Sequence, residues 1–390
     1  MERTYDHLNL SELSAELQLM IQLLRTNGKA AEGNFLNIDW DKFIELALHH
    51  RVFPALYPIT AKLKKGLVPE MVTQRLYNLF RKNTFQMLQL TNEMALVSDL
   101  FANEEINTLF LKGPVLSEDL YGDLSLRTSR DLDLLIPMQD LRKAEKLLVS
   151  RGYVKDDYFS SILDEWKWRH HHLTFVHPEK GITVEVHWRL NPGPGREPSF
   201  TELWERKRKS ALTKDPVFYL GAEDLFIFLA EHGARHGWSR LRWLQDIHQL
   251  AKKQLNWAFI KKQQRRYQST VACGQAIHLS SEIFSTHVSA EMKELITRRT
   301  NRAAHACMFY LINLVNLHTK PLPKIVSIYH SRYLFSLKSL AQKCLFLISF
   351  LYPYPIDADT LPLPGKLHFL YFPLRPFLLL WRKTTKQAIT

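Results

Sequence analysis

Two aspartates, Asp131 and Asp133, stand one residue apart in an otherwise apolar run of Leu132, Leu134, Leu135 and Ile136. Side chains on a strand alternate between faces, so both carboxylates leave the same face, close together. Like charges that near raise each other's pKa unless a cation lies between them. The cation suited to an all-oxygen site is Mg²⁺, which is held by one or two carboxylates together with substrate phosphates. The spacing therefore points to metal-assisted phosphate transfer.

A third carboxylate comes from Ile182-Thr183-Val184-Glu185-Val186-His187-Trp188, a strand with Thr183, Glu185 and His187 on one face and the valines on the other. Set beside the aspartate strand, Glu185 completes a group of three able to hold two Mg²⁺ ions: one to activate an attacking hydroxyl, one to grip a triphosphate. His187 either assists the acceptor or orients Glu185. Upstream, Leu111-Lys112-Gly113 falls between a strand and a short helix. Glycine there lets backbone amides approach phosphate at a helix N-terminus, and Lys112 supplies a point charge.

Other histidines are weighed the same way. His170, His171 and His172 are consecutive, and strand alternation sends neighbours to opposite faces, so His170 and His171 are expected to be structural. His232 and His236 share a helix face, but no HExxH motif is present. The functional expectation is a helical domain closing over a nucleotide with a His or Arg on phosphate. The structural alternative pairs Asp246 with Arg242 on the surface and buries Trp243.

The elements that must carry these residues follow from periodicity. Leu13, Leu17, Met20, Ile21 and Leu24, then Phe43, Leu46 and Ala47, recur at helical spacing, with Asp39 or Asp41 as a cap. A long amphipathic stretch covers Leu79 to Phe101. Strand Thr108 to Leu111, helix Val115 to Tyr121 and the aspartate strand follow. A helix then runs from Met138 to Ser150, opened by Pro137 and closed near Gly152. Segments Leu173 to Val176 and Ile182 to Leu190 read as a hairpin, and 191–198 as a loop. The chain is helical again from Gly221 to about Phe350. Beyond Pro353 the frequent prolines predict an irregular end. The domain boundaries expected are 1–105 (helical), 106–200 (α/β core), 201–352 (helical) and 353–390 (a Pro- and aromatic-rich tail).

Strand, glycine, helix, AspXxxAsp and a later strand carboxylate together resemble the polymerase-β-like nucleotidyltransferase superfamily. More closely, the chain resembles the bacterial uncharacterised nucleotidyltransferases. The matching stretches are 38–57, Leu111-Lys112-Gly113, Arg127 with Asp131-Leu132-Asp133, Val184-Glu185-Val186-His187-Trp188, and 231–250. The resemblance implies an α+β fold, with a small nucleotidyltransferase sheet flanked by N-terminal helices and a C-terminal helical domain. It also implies Mg²⁺-dependent transfer of a nucleoside monophosphate from an NTP to an acceptor hydroxyl. Asp131, Asp133 and Glu185 would bind metal, while Lys112, Gly113, Arg127 and Arg130 would serve the phosphates. The family context suggests tailoring of a natural product, peptide or glycan. Gly113-Pro114 replaces the superfamily's GlySer or GlyGly, and Pro114 removes one amide donor. A catalytically inactive module of the same fold, binding nucleotide, RNA or a protein, is therefore the rival expectation.

Composition bounds the rest. At 390 residues and 46% hydrophobic, the chain can bury several cores. Three dispersed cysteines indicate neither zinc site nor disulfide framework and suit a reducing cytoplasm. No secretory signal or membrane-spanning run is expected. Net charge is +13, from 52 Lys and Arg against 39 Asp and Glu. The surplus is scattered, which weighs against nucleic acid as a partner. The aromatic residues of 345–381 suggest peripheral membrane contact or, as the preferred expectation, packing against the body.

Overall fold

The computed structural model describes residues 7–156, 161–319 and 321–387. Four helices come first: α1 (Ala15–Thr26), α2 (Trp40–His49), α3 (Phe53–Thr60) and α4 (Glu70–Ala102). Asp39, not Asp41, caps α2, accepting from the amides of Asp41 at 3.1 Å and Lys42 at 3.0 Å. On α4, Met87, Leu90, Met94, Val97 and Phe101 recur every three or four residues and bury one stripe against the sheet. Val72 and Leu76, nearer its start, enter a second core shared with α1, α2 and α3. A helix of 33 residues, about 50 Å long, thus ties the two cores together.

The sheet begins with β1 (Leu109–Phe110), followed by α5 (Pro114–Tyr121), β2 (Asp131–Leu135) and α6 (Leu141–Ser150). Then come β3 (Val154–Lys155), α7 (Trp166–Arg169), β4 (His172–His177) and β5 (Ile182–His187). The expected hairpin forms as the antiparallel pair β4–β5. After α8 (Phe200–Glu205), strands β6 (Arg208–Ser210) and β7 (Val217–Tyr219) complete a seven-stranded mixed sheet ordered β3-β4-β5-β2-β1-β7-β6. Its last two strands therefore come from beyond residue 200.

Helices α9 (Ala222–Arg235), α10 (Leu241–Ala251), α11 (Trp257–Arg266), α12 (Thr270–Phe284), α13 (Ala290–Lys293) and α14 (Arg298–Ile312) follow. α12 packs against α9, α10 and α14, and this bundle shares its core with the N-terminal helices. The architecture is α+β, with helices flanking a central sheet on both sides in sequence.

The C-terminal end corrects one expectation. It is helical: α15 (Lys324–Leu337), α16 (Leu340–Ser349), α17 (Pro355–Thr360) and α18 (Tyr371–Gln387). Its prolines mostly occupy positions a helix tolerates. Pro355 is the first residue of α17, and Pro373 lies in the first turn of α18, where no intrahelical N–H bond is lost. Only Pro376 falls inside a helix. The end packs back through Arg169, whose guanidinium donates to the Tyr352 carbonyl at 3.1 Å and lies 3.5 Å from the Tyr354 ring centre. Phe377, Leu380 and Trp381 nevertheless remain exposed. No helix of the described residues is long and apolar enough to cross a membrane.

Candidate active site between the sheet and the C-terminal helices

β2 and β5 run side by side in parallel, with Asp131 opposite Thr183 and Asp133 opposite Glu185. Paired residues of neighbouring strands share a face, so the aspartates and Glu185 project together. Leu132, Val184 and Val186 fill the other face and are fully buried. The turn before α5 positions Lys112. Gly113 caps α5 at φ 85°, a backbone state that glycine adopts without strain, and Pro114 opens the helix.

Asp133 is completely buried. Lys112 Nζ lies 2.8 Å from its Oδ1, and His187 Nε2 lies 3.4 Å from both Asp133 Oδ1 and Glu185 Oε2. Burial alone would raise the Asp133 pKa, but Lys112 and His187 hold it below the usual carboxylate range. Burial would lower His187, yet the two carboxylates raise it overall. Asp131 is raised by burial and by the Asp133 charge. Its carboxylate accepts from Ser129 Oγ at 3.3 Å. Among the described residues, the closest acidic group is Asp133, Glu185 and His187, whose ligand atoms all lie within 4.8 Å of one another. Asp131 is not part of that group.

Beyond the charged contacts with Lys112 and His187, neither oxygen of Asp133 and neither ring nitrogen of His187 makes an aligned hydrogen bond within the protein. Buried polar atoms left in that condition are rare and call for a partner. The oxygen donors of Asp131, Asp133 and Glu185 are of the type that suits Mg²⁺.

Facing the carboxylates is a cluster of cations; the sequence suggested a His or Arg of the helical domain on phosphate but not that these three would meet. Arg51, which follows α2, and Arg240 and Arg242, at the start of α10, crowd one another. Burial and then Arg240 and Arg130 push Arg51 down to about 10. Burial, Arg242 and Arg130 push Arg240 to about 10, and burial, Arg127 and Arg51 push Arg242 to about 9. All three stay charged at neutral pH, since guanidinium is intrinsically so basic. Among the described residues none of the three is ion-paired to a carboxylate. Arg240 donates to Asn316 Oδ1 at 3.4 Å and Arg242 to the Thr128 carbonyl. Buried positive charge with only neutral partners is a ready anion site.

The remaining candidates divide. Arg127 is buried in a bidentate pair with Asp246, its Nε 3.0 Å from Oδ1 and its Nη2 3.1 Å from Oδ2, while Tyr121 donates to the same carboxylate at 2.8 Å. Asp246 is therefore neither on the surface nor paired with Arg242, as the structural alternative had it, although Trp243 is buried as that alternative expected. Arg130 is exposed and lines a cleft of about 540 Å³ with Arg81, Lys82, Gln86, Gln89 and Lys180. The His232 and His236 rings are tilted with centres 4.6 Å apart, and Trp243 and His318 stack against His236. Burial lowers both histidines, and the Lys112 charge lowers them further, so they are neutral rings beside the lysine.

The sequence model of the family described as "Uncharacterised nucleotidyltransferase" matches residues 37–285. No curated protein matches the chain.

Proposed function

The chain belongs to the uncharacterised nucleotidyltransferase family, and from that premise we propose that it transfers a nucleoside monophosphate from an NTP to the hydroxyl of a small molecule, peptide or glycan. The observation that carries this reading is Asp133 opposite Glu185 on parallel strands, facing the unpaired guanidinium groups of Arg51, Arg240 and Arg242. A magnesium triphosphate is negatively charged at its phosphates and positively charged at its metal, so it complements both sides at once. Asp131, Asp133 and Glu185 would hold Mg²⁺, which when bound polarises phosphoryl oxygens and eases deprotonation of the acceptor hydroxyl. The arginines hold the triphosphate in line, with the Gly113 turn approaching it from the β1 side. Arg127 acts at one remove, tying the loop that precedes β2 to α10 through Asp246.

The test is incubation with each labelled NTP, Mg²⁺ and a panel of hydroxyl acceptors. Label transfer with release of pyrophosphate is expected, and Asp133→Asn should reduce it by at least about 100-fold. Transfer unchanged in Asp131→Ala and Asp133→Asn would sink the assignment.

One contact supports a second reading. Lys112 already neutralises Asp133 at 2.8 Å, and Pro114 removes an amide from the phosphate turn. Both suit a non-catalytic module that binds nucleotide or a partner. Tight Mg–NTP binding without transfer to any acceptor would favour it.

A further inference from the structure

We propose that His171, His172 and His187 form a site for a divalent transition metal of the zinc class, adjoining the carboxylate group. Ligand nitrogens of these three residues lie within 4.8 Å of one another. Their ring centres are 4.4 Å (171 to 172), 4.9 Å (172 to 187) and 5.2 Å (171 to 187) apart.

The backbone explains the convergence. β4 and β5 are antiparallel with His172 directly opposite His187, so those two side chains share a face. His171 precedes β4, where strict alternation has not begun. Its carbonyl accepts from the Trp188 amide at 3.0 Å, which holds this residue beside the end of β5. Strand alternation, which was expected to keep His171 apart from its neighbour, does not separate the two rings here.

The spacing suits a metal. Two imidazole nitrogens bound to one tetrahedral zinc at about 2.0–2.1 Å sit about 3.3 Å apart. His172 Nδ1 and His171 Nε2 are separated by 3.3 Å. Three imidazoles with an open fourth position form a donor set suited to zinc, cobalt or nickel, whereas Mg²⁺ prefers oxygen. His187 belongs to this group and to the Asp133–Glu185 group, so the two candidate ion positions are neighbours.

The experiment uses the full chain, stripped with EDTA and titrated with Co²⁺ alone in the absence of NTP. Visible absorption saturating at one equivalent, and its displacement by Zn²⁺, are expected. His171→Ala and His172→Gln should each weaken binding by at least about tenfold. The surface variant His287→Ala should leave it unchanged. Melting curves accompany each variant, and the wild-type spectrum stands regardless of how the variants fold. No saturable absorption in the wild type, or equal affinity in well-folded His171 and His172 variants, overturns the proposal. Because no nucleotide is present, Co²⁺ binding with no nucleotidyl transfer would overturn only the proposed function.

Discussion

On the strand side of the site, Asp133 and Glu185 are neighbours because two parallel strands bring positions 133 and 185 into register. On the helix side, Arg51, Arg240 and Arg242 meet because the corner after α2 docks on the start of α10. There the Arg242 amide donates to the His50 carbonyl at 3.3 Å, and the Leu241 amide reaches His50 Nδ1 at 3.4 Å. The sides differ in charge and also in compensation. Asp133 has Lys112 and His187 beside it, whereas Arg240 and Arg242 hydrogen-bond only to neutral oxygens among the described residues. A folded protein keeps uncompensated buried charge at a cost of several kcal/mol, roughly, unless something else gains from it. Under the proposed function, the helix side would meet a ligand's charge and the strand side would supply its chemistry.

The strongest way to break that division is Asp133→Asn. If the strand side supplies chemistry and the helix side supplies binding, transfer should fall by roughly 10²–10³-fold or more. NTP affinity measured without divalent metal should change little. A parallel collapse of metal-free NTP binding would show that the two sides do not divide the work.

Next in size is Asp246→Ala, which removes the partner of Arg127 in the seam between the sides. Breaking a buried ion pair and leaving one charge behind costs about 3–5 kcal/mol. Urea denaturation should register that loss, and Tyr121 should lose its acceptor as well. An unaltered midpoint would mean that Arg127 finds another partner, perturbing the picture of a fixed seam.

Much of the strand side was legible from the residues alone. Alternation with a period of two put Asp131 with Asp133 and Glu185 with His187, and the apolar residues between them marked both strands as half-buried. The hairpin, the long helix ending at Ala102 and the Gly113 turn carry equally local signals. The helix side has no such signal. Arg51 follows an ordinary amphipathic helix, and nothing in its neighbourhood points to Arg240 or Arg242, far along the chain. Arg127 is a related case: its partner Asp246 lies on α10, so the pair exists only in the folded chain. His171 lies beside His172 because strand alternation starts only one residue later, at the first residue of β4. The tail was misread because prolines were counted without their position in a helical turn.

Arg240→Gln sharpens the comparison from the binding side. A hydrogen bond to a charged group contributes about 1.5–3 kcal/mol, so KM for NTP should rise by roughly 10–100-fold while kcat changes little. Arg240 is the better probe than Arg242, because Arg242 also holds the Thr128 carbonyl and its removal would disturb the loop before β2. A fall in kcat without a change in KM would move Arg240 from binding to chemistry.

The smallest effect concerns a carboxylate on α9, behind the helix side. Burial, reinforced by Glu197 and opposed by Asn191 and Arg235, pushes Glu231 up to about 7 from its ordinary 4.5. Between those two values the folded chain holds a proton that the unfolded chain has released. Stability from this group is therefore full below pH 4.5 and is lost as pH rises through about 7. Glu231→Gln retains an oxygen for the Asn191 amide, which donates at 2.7 Å, and cannot ionise. The variant should match the wild type near pH 5 and exceed it at pH 8, by of order 1 kcal/mol given the partial exposure of the group. The difference between the two curves is the quantity to measure. Buried His50 and His232 and half-buried His236 are lowered and drive whole-molecule stability the opposite way, upward with pH, but they contribute equally to both proteins. A difference that stays flat from pH 5 to 8 would mean that Glu231 is ionised throughout and that the positive charge of the helix side reaches it after all.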